Sequence, residues 1–207
     1  MPKVLERVRK IQDFRSKSSK EATRKFADYP TRFMEIRQPK SQYVIVPSHS
    51  SENRKYIPIG FEEADVICGN ANLLIPNASL YEFGVLISSV HMAWTSLICG
   101  RIKNDFRYSN TIIYNNFPWC NPSDEQKAKI EATAQAILDA RAKYPDCSLA
   151  DLYDETTMPP ELRRAHQDND RAVLAAYGFS KNITESEIVA ELMKMYQELT
   201  RKGNSNG

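Results

Sequence analysis

The chain has 207 residues, 42% hydrophobic and 26% charged, enough for one packed domain or two small ones. Its net charge of +2 hides a gradient: residues 1–60 carry 14 Lys/Arg against 6 Asp/Glu, whereas residues 121–207 carry 11 against 15. Neither a secretory leader nor a membrane span is expected, because no apolar run follows the basic residues that reach Lys10, and the most apolar stretch, Leu80 to Cys99, is interrupted by Glu82, His91 and four serines or threonines.

Residues 1–40 form a basic segment that crowds Arg7, Arg9, Lys10, Arg15, Lys17, Lys20, Arg24 and Lys25 together. It reads either as a surface for a polyanion or as a solubilising arm. The first dozen residues lack an obvious apolar face and read as a floppy lead or as a helix whose packing partner lies elsewhere. Glu21 to Tyr29 predicts a short helix capped by Ser18 or Ser19 and ended by Pro30.

Residues 41–120 open with strand signals. Tyr43–Val46 stops at Pro47, Tyr56–Ile59 stops at Gly60, and Asp65–Cys68 and Leu73–Ile75 follow. Pro58 demotes its run to an edge or a bulge. A long helix is predicted over Leu80–Ile98, capped by Asn77 or Ser79 and stopped by Gly100. Phe83, Leu86, Ile87, Val90, Trp94 and Leu97 recur at three- and four-residue steps, and Leu80, Val85, Met92 and Ile98 widen the apolar arc, so this helix is expected to be covered on several sides. Arg107–Tyr114 reads as extended.

Residues 121–200 read as helical. Ser123 with Gln126 and Thr184 with Glu187 spell capping boxes, Leu149–Tyr153 makes a single turn, and a helix starting at Pro159 or Pro160 closes at Gly178. Residues 201–207 are expected to be a disordered tail. The expected fold is α+β: a small β-rich module around a long buried helix, followed by a compact helical domain.

Catalytic motifs are absent from the text. Binding of S-adenosylmethionine needs a glycine-rich strand–turn–helix, and the seven glycines are scattered with no GxG pair. Methylation of an adenine amine needs Asn or Asp before Pro-Pro and an aromatic residue, and Asn116-Phe117-Pro118-Trp119 breaks the Pro-Pro pair. Pro145-Asp146 and Glu125–Lys127 stand in the wrong order for a metal-dependent nuclease. His166 shares no tight face with Asp168 and Asp170, and His91 reads as a hydrogen-bonded core residue. No catalytic, cofactor-binding or metal-ligating residue is assigned. Cysteines at 68, 99, 120 and 147 fit neither a metal pair nor a disulfide framework, so reduced thiols in a cytoplasmic protein are expected. Two polar patches remain: Arg101, Lys103, Arg107, Tyr108, Ser109 and Asn110 after the central helix, and Ser48, His49, Ser51, Asn53, Arg54 and Lys55 between strand signals. Arginine forks onto guanine or phosphate and asparagine pairs with adenine, so both patches suit nucleic acid.

The second segment, "RKYIPIGF" and then "LYEFGVLISSVHMAWTSLICGRIKNDFRYSNTIIYNNFPW", resembles the target-recognition region of single-chain type II restriction–modification enzymes that methylate adenine N6. "AILDARAKYPDCSLADLYDETTMPPELRRAHQDNDRAVLAAYG" resembles the helical C-terminal region of the same family, and "RSKSSKEATRKFADYPTRFMEIRQP" its recognition region. The likeness covers roughly residues 15–200. It implies sequence-specific reading of duplex DNA in partnership with a methyltransferase domain, normally in the same polypeptide, which holds S-adenosylmethionine and is missing here. An endonuclease domain belongs to some members. Carried over by position, the residues bordering DNA are Ser18, Ser19, Lys20, Arg24, Arg54, Arg107, Tyr108 and Ser109, while Phe117–Trp119 resembles a packing device. Departures are Cys120, where relatives usually have proline, and an abbreviated stretch from Glu62 to Asn77. The alternative is a structural region that docks on a methyltransferase domain with little direct DNA contact.

Overall fold

The computed structural model describes residues 1–204, leaving aside the side chains of Arg101, Ile102 and residues 202–204. The chain divides into two compact units, Met1–Gln38 and the remainder from Pro39 on.

The first unit contains α1 (Pro2–Ser16) and α2 (Glu21–Lys25). Pro2 opens α1 where its missing N–H costs no bond. Among the described residues of this unit, Ala27 alone is a buried apolar side chain, while Val4, Leu5, Ile11 and Phe14 of α1 lie exposed. Cohesion is therefore polar. Arg15 donates to the carbonyls of Phe26, Tyr29 and Arg32 at 3.2, 2.6 and 2.8 Å, and Arg24 to those of Ser18 and Ser19 at 2.8 and 3.0 Å. The expected serine cap of α2 does not form. Lys20 occupies the cap position without a side-chain bond, because the Ser18 hydroxyl accepts from the Lys20 N–H and closes the preceding turn instead.

The second unit runs β1 (Tyr43–Pro47), β2 (His49–Ser50), β3 (Gly60–Glu62), β4 (Asn72–Pro76), α3 (Leu80–Leu86), α4 (Ser89–Ile98), β5 (Gly100–Ile102), β6 (Asp105–Arg107), a π-helical turn (Asn110–Tyr114), α5 (Asp124–Ala142), α6 (Leu149–Leu152), α7 (Pro160–Ala176) and α8 (Glu185–Asn204). The architecture is the α+β one expected. Two antiparallel three-stranded sheets have the orders β3-β1-β4 and β2-β6-β5.

Several local expectations give way to specific bonds. Tyr56–Ile59 is not a strand: Pro58 offers no ladder donor, and the Ile59 N–H turns back onto the Ile57 carbonyl at 2.8 Å, so pairing starts at Gly60. Asp65–Cys68 is likewise irregular. The single long helix over Leu80–Ile98 is two helices. Ser88 breaks it by donating its hydroxyl to the Val85 carbonyl at 2.7 Å while capping the His91 N–H, and Asp170 accepts from the Ser89 N–H at 2.7 Å. The carboxylate thus completes a helix start that a continuous helix would not have. Arg107–Tyr114 is not extended throughout; after Arg107 the chain winds into the π-helical turn, closed by the Asn115 N–H on the Asn110 carbonyl at 2.8 Å. At the other end, α8 continues through Asn204 where a tail was expected, and residues 205–207 lie outside the described residues.

Both capping boxes form as spelled, Ser123 with Gln126 and Thr184 with Glu187, and Gly178 ends α7 with a φ of 72°. The core is continuous across β1, α3, α4, α5, α7 and α8. Its closest point is Gly84 of α3, where an added Cβ would stand 2.7 Å from Ile130 Cγ2 and 3.1 Å from Ala134 Cβ of α5. Asn169 of α7 fills the gap, donating to the Gly84 carbonyl at 2.8 Å and accepting from Thr133 at 3.1 Å.

Two predictions arise from this packing. Gly84→Ala improves helix propensity by up to about 1 kcal/mol, yet the overpacking against α5 outweighs it. A net destabilisation of about 1–3 kcal/mol is expected in urea unfolding; an unchanged midpoint would refute the close approach. The second concerns pH. Burial pushes the His91 imidazole down to about 3 and His166 well below its ordinary range. Unfolded histidines protonate near ~6.5, so below that pH the unfolded chain binds protons the folded chain refuses. Stability then falls as pH drops, by up to ~1.4 kcal/mol per pH unit for each histidine. Asp170, raised by burial, works in the opposite sense and offsets part of this. The urea midpoint should be lower at pH 5 than at pH 7.5.

Candidate nucleic-acid interface

Strand β6 alternates in register: Phe106 turns inward, Arg107 outward, and Tyr108, just beyond the strand, inward again. Across the sheet, Arg107 pairs with His49 of β2 on one side and Gly100 of β5 on the other. His49 is exposed, and Gly100 presents no side chain where an added Cβ would sit 4.0 Å from the Arg107 Cβ. The Arg107 guanidinium has no hydrogen-bond or ion-pair partner among the described residues and stands free on this surface. The β5–β6 hairpin turns at Lys103, with φ 56°, and Asn104. Asp105 accepts from the Glu52 N–H at 3.2 Å, which ties the loop after β2 to the hairpin. Two polar patches far apart in the chain therefore share one sheet, although the side chain of Arg101 lies outside the described residues.

Tyr108 departs from its expected place at a DNA surface. It is 6% exposed, its hydroxyl pairs with His91 Nε2 at 2.8 Å, and its N–H donates to the Ser48 carbonyl at 2.9 Å. It joins the sheet to α4 beneath it. Ser109, partly buried, caps the π-helical turn by position, and its hydroxyl pairs with that of Thr111 at 3.0 Å. Arg54 is half-buried; the Asp154 carboxyl is held low chiefly by the Thr156 hydroxyl and N–H, and the positive charge of Arg54 adds to the effect. Ser18, Ser19 and Lys20 belong to the turn between α1 and α2 in the first unit, and Arg24 lies in α2. Lys20 and Arg24 are exposed there, Arg24 holding the turn through its two carbonyl bonds. That unit carries 11 Lys/Arg against 5 Asp/Glu.

His49 belongs to the second polar patch of the sequence, but its pairing with Arg107 was not legible there, since it depends on a strand of two residues. The expected packing role of Phe117–Trp119 holds. The Phe117 ring meets His91 edge-on at 4.5 Å and Trp119 at 5.4 Å, and the Pro118 carbonyl accepts from the hydroxyl of Tyr177, just past α7, at 3.1 Å.

Among the described residues, no group of three metal-ligating side chains occurs and no helix is long and apolar enough to cross a membrane. Among the described residues, no glycine-rich strand–turn–helix of the kind that holds S-adenosylmethionine occurs. The sheets are antiparallel, and the turn from β4 into α3 carries Asn77 and the Ser79–Glu82 capping box where a nucleotide-binding turn has glycines.

Residues 1–121 match the family described as MmeI, target recognition domain, and residues 122–202 the family described as MmeI, C-terminal domain. The chain is 38% identical over 201 residues to DNA methyltransferase A of Bacillus subtilis (strain 168), covering 97% of itself and 23% of that protein. It superimposes with a TM-score of 0.89 and 47% identity on the type IIL restriction–modification enzyme MmeI, solved in complex with DNA, covering 97% of itself and 27% of that chain. The chain thus spans about a quarter of the length of both relatives.

Neighbouring residues of β6 and the segment after it should respond oppositely to mutation. Tyr108→Phe leaves the buried His91 Nε2 without its partner and should cost about 1–3 kcal/mol in urea unfolding. Arg107→Ala removes an exposed, unpaired side chain and should stay within about 0.5 kcal/mol of wild type. The reverse ranking would place Tyr108 at the surface.

Proposed function

The chain belongs to the MmeI family, comprising its target recognition and C-terminal domains, and on that premise we propose that it supplies sequence-specific recognition of duplex DNA for an adenine-N6 DNA methyltransferase of a restriction–modification system. The pairing of His49 with Arg107 carries the reading, because it joins two polar segments into one exposed surface resting on buried Phe106 and Tyr108. A rigid support under a free guanidinium suits base readout, which needs a bidentate donor held in register. Support also comes from the relatives, one named a DNA methyltransferase and one solved with DNA.

The basic first unit would supply backbone contacts through Lys20 and Arg24, with Ser18 and Ser19 at the same turn, and the hairpin would supply base contacts through Arg107, with Ser109 beside it. Arg54, half-buried, would serve at the margin. The methyl donor and the adenine pocket would belong to a methyltransferase domain outside this chain.

A second reading, docking on that domain with little DNA contact, draws on the exposed Val4, Leu5, Ile11 and Phe14 of α1. Anisotropy titrations at two salt concentrations separate the two. Lys20→Ala should weaken all duplexes about equally and lower the salt slope by roughly one. Arg107→Ala should cost about 1–3 kcal/mol more on a selected site than on random DNA. Wild-type affinity and slope in Lys20→Ala, with undiminished discrimination in Arg107→Ala, would favour docking.

A further inference from the structure

Between the β5–β6 hairpin and the Phe117–Trp119 segment stands the π-helical turn, and its inner side is fixed. Ile113 is fully buried, its N–H donates to the Ser109 carbonyl at 2.9 Å, and its own carbonyl accepts from the Trp94 indole N–H at 3.1 Å. On the outer side, several polar groups that could read a base edge are engaged within the turn. Asn110 Oδ1 accepts from the Thr111 N–H at 2.9 Å, the Thr111 and Ser109 hydroxyls pair, and Asn116 Nδ2 donates to the Thr111 and Ile112 carbonyls at 2.9 Å each. This turn therefore presents Ile112, 49% exposed, beside a residue locked in the core. Lone exposed apolar side chains are ordinary. This one is held by a rare backbone geometry that recurs at functional sites, five residues past Arg107.

Resting on the DNA-recognition reading, we propose that Ile112 is a specificity residue that reads the 5-methyl group of a thymine in the major groove by apolar contact. Thymine's methyl is the apolar feature of that groove. Isoleucine is stiff at χ1, so a rigid turn presents its methyl surface in one place. Phosphate and sugar contacts call for a donor, which this side chain lacks. An unstacking wedge calls for a side chain that stands clear of its own backbone, whereas half of Ile112 lies against protein.

The test begins with selection of a preferred duplex from a random pool by the full chain. Each thymine is then replaced by uracil, which removes only the methyl, and affinities are measured for wild type, Ile112→Val and Ile112→Ala alongside their melting temperatures. Uracil at one position should weaken wild-type binding about three- to fivefold, the effect of one buried methyl group. Ile112→Ala should melt with wild type, bind the thymine duplex more weakly, and be indifferent to uracil at that position, with Ile112→Val retaining most of the sensitivity. Equal uracil sensitivity at every position in wild type and Ile112→Ala would overturn the assignment while leaving DNA recognition intact. Failure of the wild-type chain to bind any duplex would instead defeat the DNA-recognition reading and this one with it.

Discussion

The second unit depends on a backbone approach at Gly84. Because α3 has no side chain there, α5 comes close enough for Ile130 and Ala134 to occupy the space, and Asn169 reaches in from α7 to satisfy the Gly84 carbonyl. A buried amide that bonds two helices at once is costly to disturb, since moving any of the three strands a polar group in the core. The three helices therefore hold one arrangement, and the remaining elements are placed from it.

The adjacent residue of α7 extends this control toward the sheet that carries Arg107. Asp170 accepts from the Ser89 N–H at the start of α4 and from the Tyr56 hydroxyl at 2.7 Å, and Tyr56 stacks on His166 with ring centroids 4.1 Å apart. Its carboxyl is held above the usual range by burial. Helix α4 then carries His91, His91 holds Tyr108, and Tyr108 sets the inner side of the sheet whose outer side bears Arg107. The helical half thus supports the hairpin through a short series of buried hydrogen bonds. This explains in physical terms why the part of the recognition domain from Pro39 on and the C-terminal helical domain form one compact unit. The first unit is different in kind, held by arginine–carbonyl bonds around a single buried alanine.

Much of this was legible in the amino-acid text wherever a few neighbouring residues carry the instruction. The boxes at Ser123 and Thr184 and the end of α7 at Gly178 are set within about one turn of chain. The break at Ser88 was not legible, because Leu80–Ile98 has unbroken helical periodicity and the deciding partner, Asp170, belongs to another helix. Tyr108 looked like a surface aromatic in a polar run; its burial follows from strand alternation anchored by His91.

By itself, then, the sequence determined the α+β class, the capped helices, the basic first segment and the family likeness, since composition, local capping and long idiosyncratic runs are properties of the chain alone. The tertiary structure decided where the central helix breaks, which way Tyr108 points, and that His49 lies beside Arg107. Those outcomes rest on bonds between residues far apart in the chain, and such bonds exist only once the helices have packed around Gly84.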